Sequence, residues 1–242
     1  MSTGLIMLLD DIAATADDIA AMSKVAIKKT SGILGDDLAL NAEQVSGMKS
    51  NRELPVVYKV FKGSLLNKLI LVPMALIISY FAPWLMIPLL MVGGAYLCYE
   101  GVENLYEKIF HKNNHIENRN KDLEGDLLEY ENKKVKGAIR TDFILSAEIV
   151  VVSLNALGDT SFINKVIALS FLALFFTFFV YGLVALIVRL DDIGFWFKTK
   201  KNNLCEIIGD GLINVVPYIM KTLAFVGLVA MFLVGGGIIV HG

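Results

Sequence analysis

Five apolar blocks decide what this chain can become. Leu65 to Phe81, Leu85 to Tyr99, Ala138 to Leu157, Ile163 to Leu190 and Leu212 to Val240 approach or exceed the roughly 20 residues a helix needs to cross a hydrocarbon layer about 30 Å thick. Lipid offers no hydrogen bonds to the backbone, so such blocks span as helices. Ala82-Pro83-Trp84 separates the first two blocks as the turn of a helical hairpin, and Gly158-Asp159-Thr160-Ser161 separates the third from the fourth. The fifth is longer than a bilayer requires and is predicted to tilt, kink or break, at Pro217 or Gly227. The expected fold is an all-α, polytopic transmembrane bundle of about five spans, with re-entrant or broken helices allowed.

The polar stretches between the blocks divide the chain. Residues 1–61 read as a cytoplasmic or membrane-surface region of mostly short helices, 62–106 as the hairpin, and 107–137 as a charged cytoplasmic segment. Residues 138–190 then hold the third and fourth spans, 191–211 a cytoplasmic loop, and 212–242 the last span. Lys and Arg gather from Lys24 to Lys68, from Lys108 to Arg140, and from Arg189 to Lys201, whereas the hairpin tip has none. By the positive-inside rule those three regions, and the N-terminus, face the cytoplasm. Met1 to Leu9 lacks a basic leader and predicts no secretory signal peptide.

A formal net charge of −2 with no basic stripe argues against nucleic acid as a partner. Cys98 and Cys205 are far apart with no Cys-x-x-Cys, which argues against a disulfide framework or a zinc site. No Gly-x-x-x-x-Gly-Lys phosphate loop occurs, and His111, His115 and His241 are scattered, so no cofactor and no enzyme activity are expected.

Four acidic pairs stand out: Asp10/Asp11, Asp17/Asp18, Asp36/Asp37 and Asp191/Asp192. They suggest a cytoplasmic collar that attracts cations, because hard cations take several carboxylate oxygens; ordinary helix caps are the plainer explanation. A metal is left open. Leu5, Leu8, Ile12, Ala16 and Ile19 recur at helical spacing, as in an amphipathic helix packed on the bundle.

Inside the blocks, polar groups are costly and call for a partner. A carboxylate at the centre of a lipid-facing helix costs roughly 2.5 to 3.5 kcal/mol. Glu148 lies about ten residues into the third block, with Arg140, Thr141 and Asp142 toward its start. Glu148 and Asp142 are read as a proton or cation pathway, with Lys221 of the fifth block as the partner of Glu148 and Arg140 helping to set charge states. The plainer readings are a hydrogen-bonded structural acid at Glu148 and a snorkelling Lys221. Gly93-Gly94 and Gly235-Gly236-Gly237 permit close helix contact, within the chain or between copies in a homo-oligomer. Met91 to Gly94 and Leu233 to Gly236 also echo each other, as an internal repeat would.

Several runs are similar to a known family: Leu8-Leu9-Asp10-Asp11-Ile12, Gly35-Asp36-Asp37-Leu38, Asn51-Arg52-Glu53-Leu54-Pro55, the long run from Lys136 to Glu148, and Phe232 to Gly237. Together they resemble the YedI family of bacterial inner-membrane proteins over nearly the whole chain. The resemblance implies a multi-pass protein of the cytoplasmic membrane, with no established activity. Family members continue past the equivalent of His241-Gly242 with another hydrophobic segment, where this chain stops.

The expected function is transport or channel conduction of a small solute, cation or proton through intramembrane carboxylates, with membrane lipids as surroundings. A non-transporting scaffold that oligomerises through its glycine faces is the alternative.

Overall fold

The computed structural model describes residues 2–45, 52–110, 124–200 and 203–242. Seven α-helices occur among them: α1 (Ser2–Val45), α2 (Glu53–Phe81), α3 (Met86–Phe110), α4 (Glu124–Leu157), α5 (Phe162–Val188), α6 (Leu190–Lys198) and α7 (Asn203–His241). The hairpin tip forms where expected. Pro83 opens a 3-10 turn, Pro83–Leu85, between α2 and α3, because its fixed φ suits the first position of a helix and its missing N–H costs nothing there. Ser161 caps α5 by accepting from the Asn164 amide at 3.3 Å.

Four helices are long and apolar enough to cross a membrane: α2, the stretch Pro83–Tyr106 through α3, α5, and Cys205–His241 of α7. They match four of the five expected blocks. The third block lies in α4, whose charged side chains keep it outside that set. Both charged helices, α1 and α4, pack against each other, with α2 beside α4 and α5 beside α1 on one flank, and α3 beside α4 and α7 beside α1 on the other. The most apolar helices thus carry the exposed hydrophobics, such as Leu69, Phe178 and Leu233, and the charged pair is shielded between them.

The expectation of mostly short helices before residue 61 is overturned, since α1 is one helix of 44 residues. Its ends also lie at opposite ends of the bundle. Ile19 and Met22 pack with Leu76, Leu157 and Ala168, beside the hairpin tip and the α4–α5 turn. Val45 belongs to the cluster of Val56, Val57, Val135 and Val188, and Gln44 donates to Thr141 at 3.1 Å. A surface helix would leave Asp37 and Asn41 in water; here both are buried, because Asn41 donates to Asp37 within α1 and Tyr181 of α5 donates to Asn41.

Of the tilt, kink or break expected in the last span, the break does not occur. α7 runs unbroken through Pro217 for 39 residues. Its surplus length is taken up outside the bundle, where its first turns form a hairpin with α6. Gly194 and Gly209 let these two backbones touch: a Cβ at Gly209 would lie 2.7 Å from the Gly194 carbonyl oxygen. Lys198 and Asp210 close the hairpin at 2.6 Å, and the Asp210 carboxylate holds the Lys198 ammonium above its usual range. Farther along, α7 crosses α3 at Gly94, where a Cβ would come within 2.8 Å of the Gly235 carbonyl oxygen. The glycine faces expected to bring helices together do so here within one chain.

Candidate functional site

The polar centre of the molecule is Asp142 on α4, buried to 1% exposure. Oδ1 accepts from Ser64 Oγ of α2 at 2.9 Å and lies 3.0 Å from the Tyr181 hydroxyl of α5. Oδ2 accepts from Asn67 Nδ2 at 3.2 Å and from Ser146 Oγ at 3.5 Å. Lys68 stands 3.6 Å from Oδ1 and donates to Ser64 at 2.8 Å, so the serine bridges ammonium and carboxylate. Asn67 also holds the Ile139 carbonyl at 2.8 Å, which ties α2 to α4 beside the acid.

Helical spacing builds this cluster. Ser64 and Lys68 are four apart on α2, as are Asp142 and Ser146 on α4 and Asp37 and Asn41 on α1, so each pair shares a face. Asn41 donates to the Asp37 carboxylate at 2.7 Å and to its carbonyl at 2.9 Å, while its own Oδ1 lies 2.9 Å from the Tyr181 hydroxyl. A continuous polar path therefore runs from Asp37 through Asn41, Tyr181 and Asp142 to Lys68. Lys68 is thirteen residues from Phe81, which sets the cluster about 20 Å from the hairpin-tip end.

With the site and its surroundings in view, the comparison with protein families is decisive: the model described as "Protein of unknown function (DUF808)" matches residues 3–242. The chain belongs to the DUF808 family. This is the family that the sequence runs resemble, also known as YedI. No curated protein matches the chain, and neither does any solved structure.

In this DUF808 chain the residues expected to form the pathway do not all meet. Asp142 is central, but Glu148 and Lys221 are not partners. Lys221 is exposed on α7, because α7 turns Gly227 toward the Ala39 carbonyl of α1 and so directs Lys221 outward. Glu148 is half-buried, its Oε2 has no hydrogen-bond partner, and the charge that acts on it is another acid, Asp36. Arg140 is exposed and occupied elsewhere, donating to the Tyr96 hydroxyl at 2.8 Å and lying 5.6 Å from the ring centre. On the α3 flank, Thr141 meets Glu100 at 2.9 Å.

The acidic collar does not assemble. Asp10, Asp17 and Asp18 are exposed on the first half of α1, Asp36 is half-buried, and Asp37 is inside the bundle. Asp191 and Asp192 lie near Glu53, and Asp192 pairs with Arg189 at 3.3 Å. The Asp11 side chain and residues 111–123 lie outside the described residues. Among the described residues no group of three or more His, Cys, Asp and Glu could hold a metal ion.

The residues that sequence reasoning missed are Lys68, Ser64, Asn67, Asn41 and Tyr181. Lys68 reads as one more flanking base ahead of the first span, yet it is a buried part of α2. Its signal was present: Asn67-Lys68 interrupts an otherwise apolar run. A cavity of about 170 Å³ between α2, α3 and α4, lined by groups such as Leu71, Met74, Gly93 and Val150, has no charged residue in its wall.

Proposed function

We propose that this membrane protein moves protons or a small cation across the bilayer, with Asp142 and Lys68 as the charge-bearing centre. The observation that carries the reading is the buried Asp142–Lys68 pair, set among helices whose other faces are apolar. Ionisable groups at that depth are costly, and where they persist they mark ion and proton paths. The pair is weak evidence for stability, since desolvation offsets most of its attraction. Asp142 replaces Glu148 as the principal carboxylate of the pathway, with Glu148 and Asp36 as a secondary acidic seam.

The cytoplasmic membrane of a bacterium is the location the resemblance implies. Basic residues around Arg52, Arg189 and Lys198 favour the cytoplasm for that end of the bundle. A scaffold role is less supported, because Gly94 and Gly235 are engaged with each other. The test is purified protein in liposomes under an imposed pH gradient, read with an entrapped pH dye in sodium and in potassium buffer. Flux above empty vesicles, mostly lost in Asp142→Asn, is expected. Absence of flux in every buffer, or flux untouched by Asp142→Asn, would overturn the reading.

A further inference from the structure

We infer that the network Asp37–Asn41–Tyr181–Asp142 binds one proton beyond the ordinary charge states of its groups, and that this proton has two seats, one on each carboxylate. Two independent counts lead there. The first is of hydrogens. The Tyr181 hydroxyl has one hydrogen but faces two acceptor oxygens, Asn41 Oδ1 at 2.9 Å and Asp142 Oδ1 at 3.0 Å. If Tyr181 donates to Asn41, its contact with Asp142 is a hydrogen bond only when Asp142 carries a proton. If the Asn41 amide is turned over so that its nitrogen serves Tyr181, its oxygen meets Asp37 Oδ1 across 2.7 Å and Asp37 must carry the proton instead, in a higher-energy seat because the bond from Asn41 to the Asp37 carbonyl at 2.9 Å is lost. Unless one hydrogen is shared between both acceptors in a weaker three-centre bond, either arrangement takes the same extra hydrogen.

The second count is of charge. Asp37 and Asp142 are both buried and face a single buried ammonium, Lys68. One proton brings the three groups to neutrality, which a low-dielectric interior strongly favours. The charged and titratable groups acting on Asp37 are Asp142 from α4, Lys68 from α2 and its own neighbour Asp36; those acting on Tyr181 are Asp142 and Asp37. α7, which also packs on α1, adds none of these. Sodium is a poor substitute for the proton, because the oxygens along the path are 2.9 and 3.0 Å apart, the spacing of a shared hydrogen. Passage between the seats needs a turn of the Tyr181 hydroxyl and of the Asn41 amide, which gives up its bond to the Asp37 carbonyl as it turns. This is an equilibrium property of the folded chain and does not depend on transport.

The test is infrared difference spectroscopy of the purified full chain in detergent between neutral and alkaline pH, following the carbonyl stretch of a protonated carboxyl. The wild type should show that band at neutral pH beside any from Glu53, Glu100 and Glu148; Asp37→Asn and Asp142→Asn should each remove the same component of it, and Tyr181→Phe should move that component. Added sodium at constant pH should leave it in place. A wild type without the band, a band unchanged in both Asn variants or in Tyr181→Phe, or one removed by sodium would overturn the inference. Loss in only one Asn variant would put the proton on that residue alone and overturn the two-seat arrangement. The wild-type and sodium measurements need no variant to fold.

Discussion

The Lys68 ammonium and the Asp142 carboxylate are held 3.6 Å apart by a hydroxyl between them, that of Ser64, which accepts from one and donates to the other. Lys68→Met removes the one cation facing two buried acids. Breaking a buried pair from one side typically costs about 3–5 kcal/mol, so this variant should unfold at much lower denaturant than the wild type in detergent. Adding Asp142→Asn to Lys68→Met should recover most of the loss. A double variant as unstable as the sum of the single ones would mean that the two groups do not interact.

The crossing of α3 and α7 rests on two glycines. A Cβ at Gly235 would lie 2.6 Å from the Gly94 carbonyl oxygen, whereas a Cβ at Gly236 meets nothing within 4 Å. Gly235→Leu should therefore cost at least the 1–3 kcal/mol typical of overpacking. Gly236→Ala should be neutral or stabilising by a few tenths to about 1 kcal/mol, since alanine suits a helix better. Thermal unfolding of the two variants side by side checks the contrast. Equal effects would place the contact elsewhere.

Because Ile19 packs at the hairpin-tip end and Val45 at the Arg52 end, the two ends of α1 should be reached from opposite sides of the membrane. Single cysteines at Asp17 and Lys198, in a chain with Cys98 and Cys205 replaced, should react with an impermeant maleimide from opposite faces of sealed vesicles. Labelling of both from one face would return the N-terminal region to the surface position that its basic residues suggest.

What was legible in the sequence was whatever depends on one helix at a time. Apolar runs found α2, α3, α5 and α7, Pro83 found the hairpin tip, and the polar side of the third block found Asp142. The identity of its partner was not legible. Lys68 and Lys221 are both lone lysines in apolar surroundings, and only the packing of α2 rather than α7 against that face of α4 chooses between them. The same gap hid α1. Its charges read as a surface helix because the hydroxyl that meets Asn41 lies on Tyr181, 140 residues later, and the cation that acts on Asp37 is Lys68 of the next helix.

That arrangement carries a consequence for biogenesis. α1 leaves the ribosome before α4 and α5 and bears Lys24, Lys28, Lys29, Asp36 and Asp37, and each charge taken into lipid alone would cost roughly 2.5–3.5 kcal/mol. It can settle among its neighbours only after α4 and α5, with the Thr141 and Tyr181 hydroxyls that meet Gln44 and Asn41, have been synthesised and inserted. A segment translated before its partners thus docks after them, and until then it must be kept out of the acyl layer by water or by the insertion machinery.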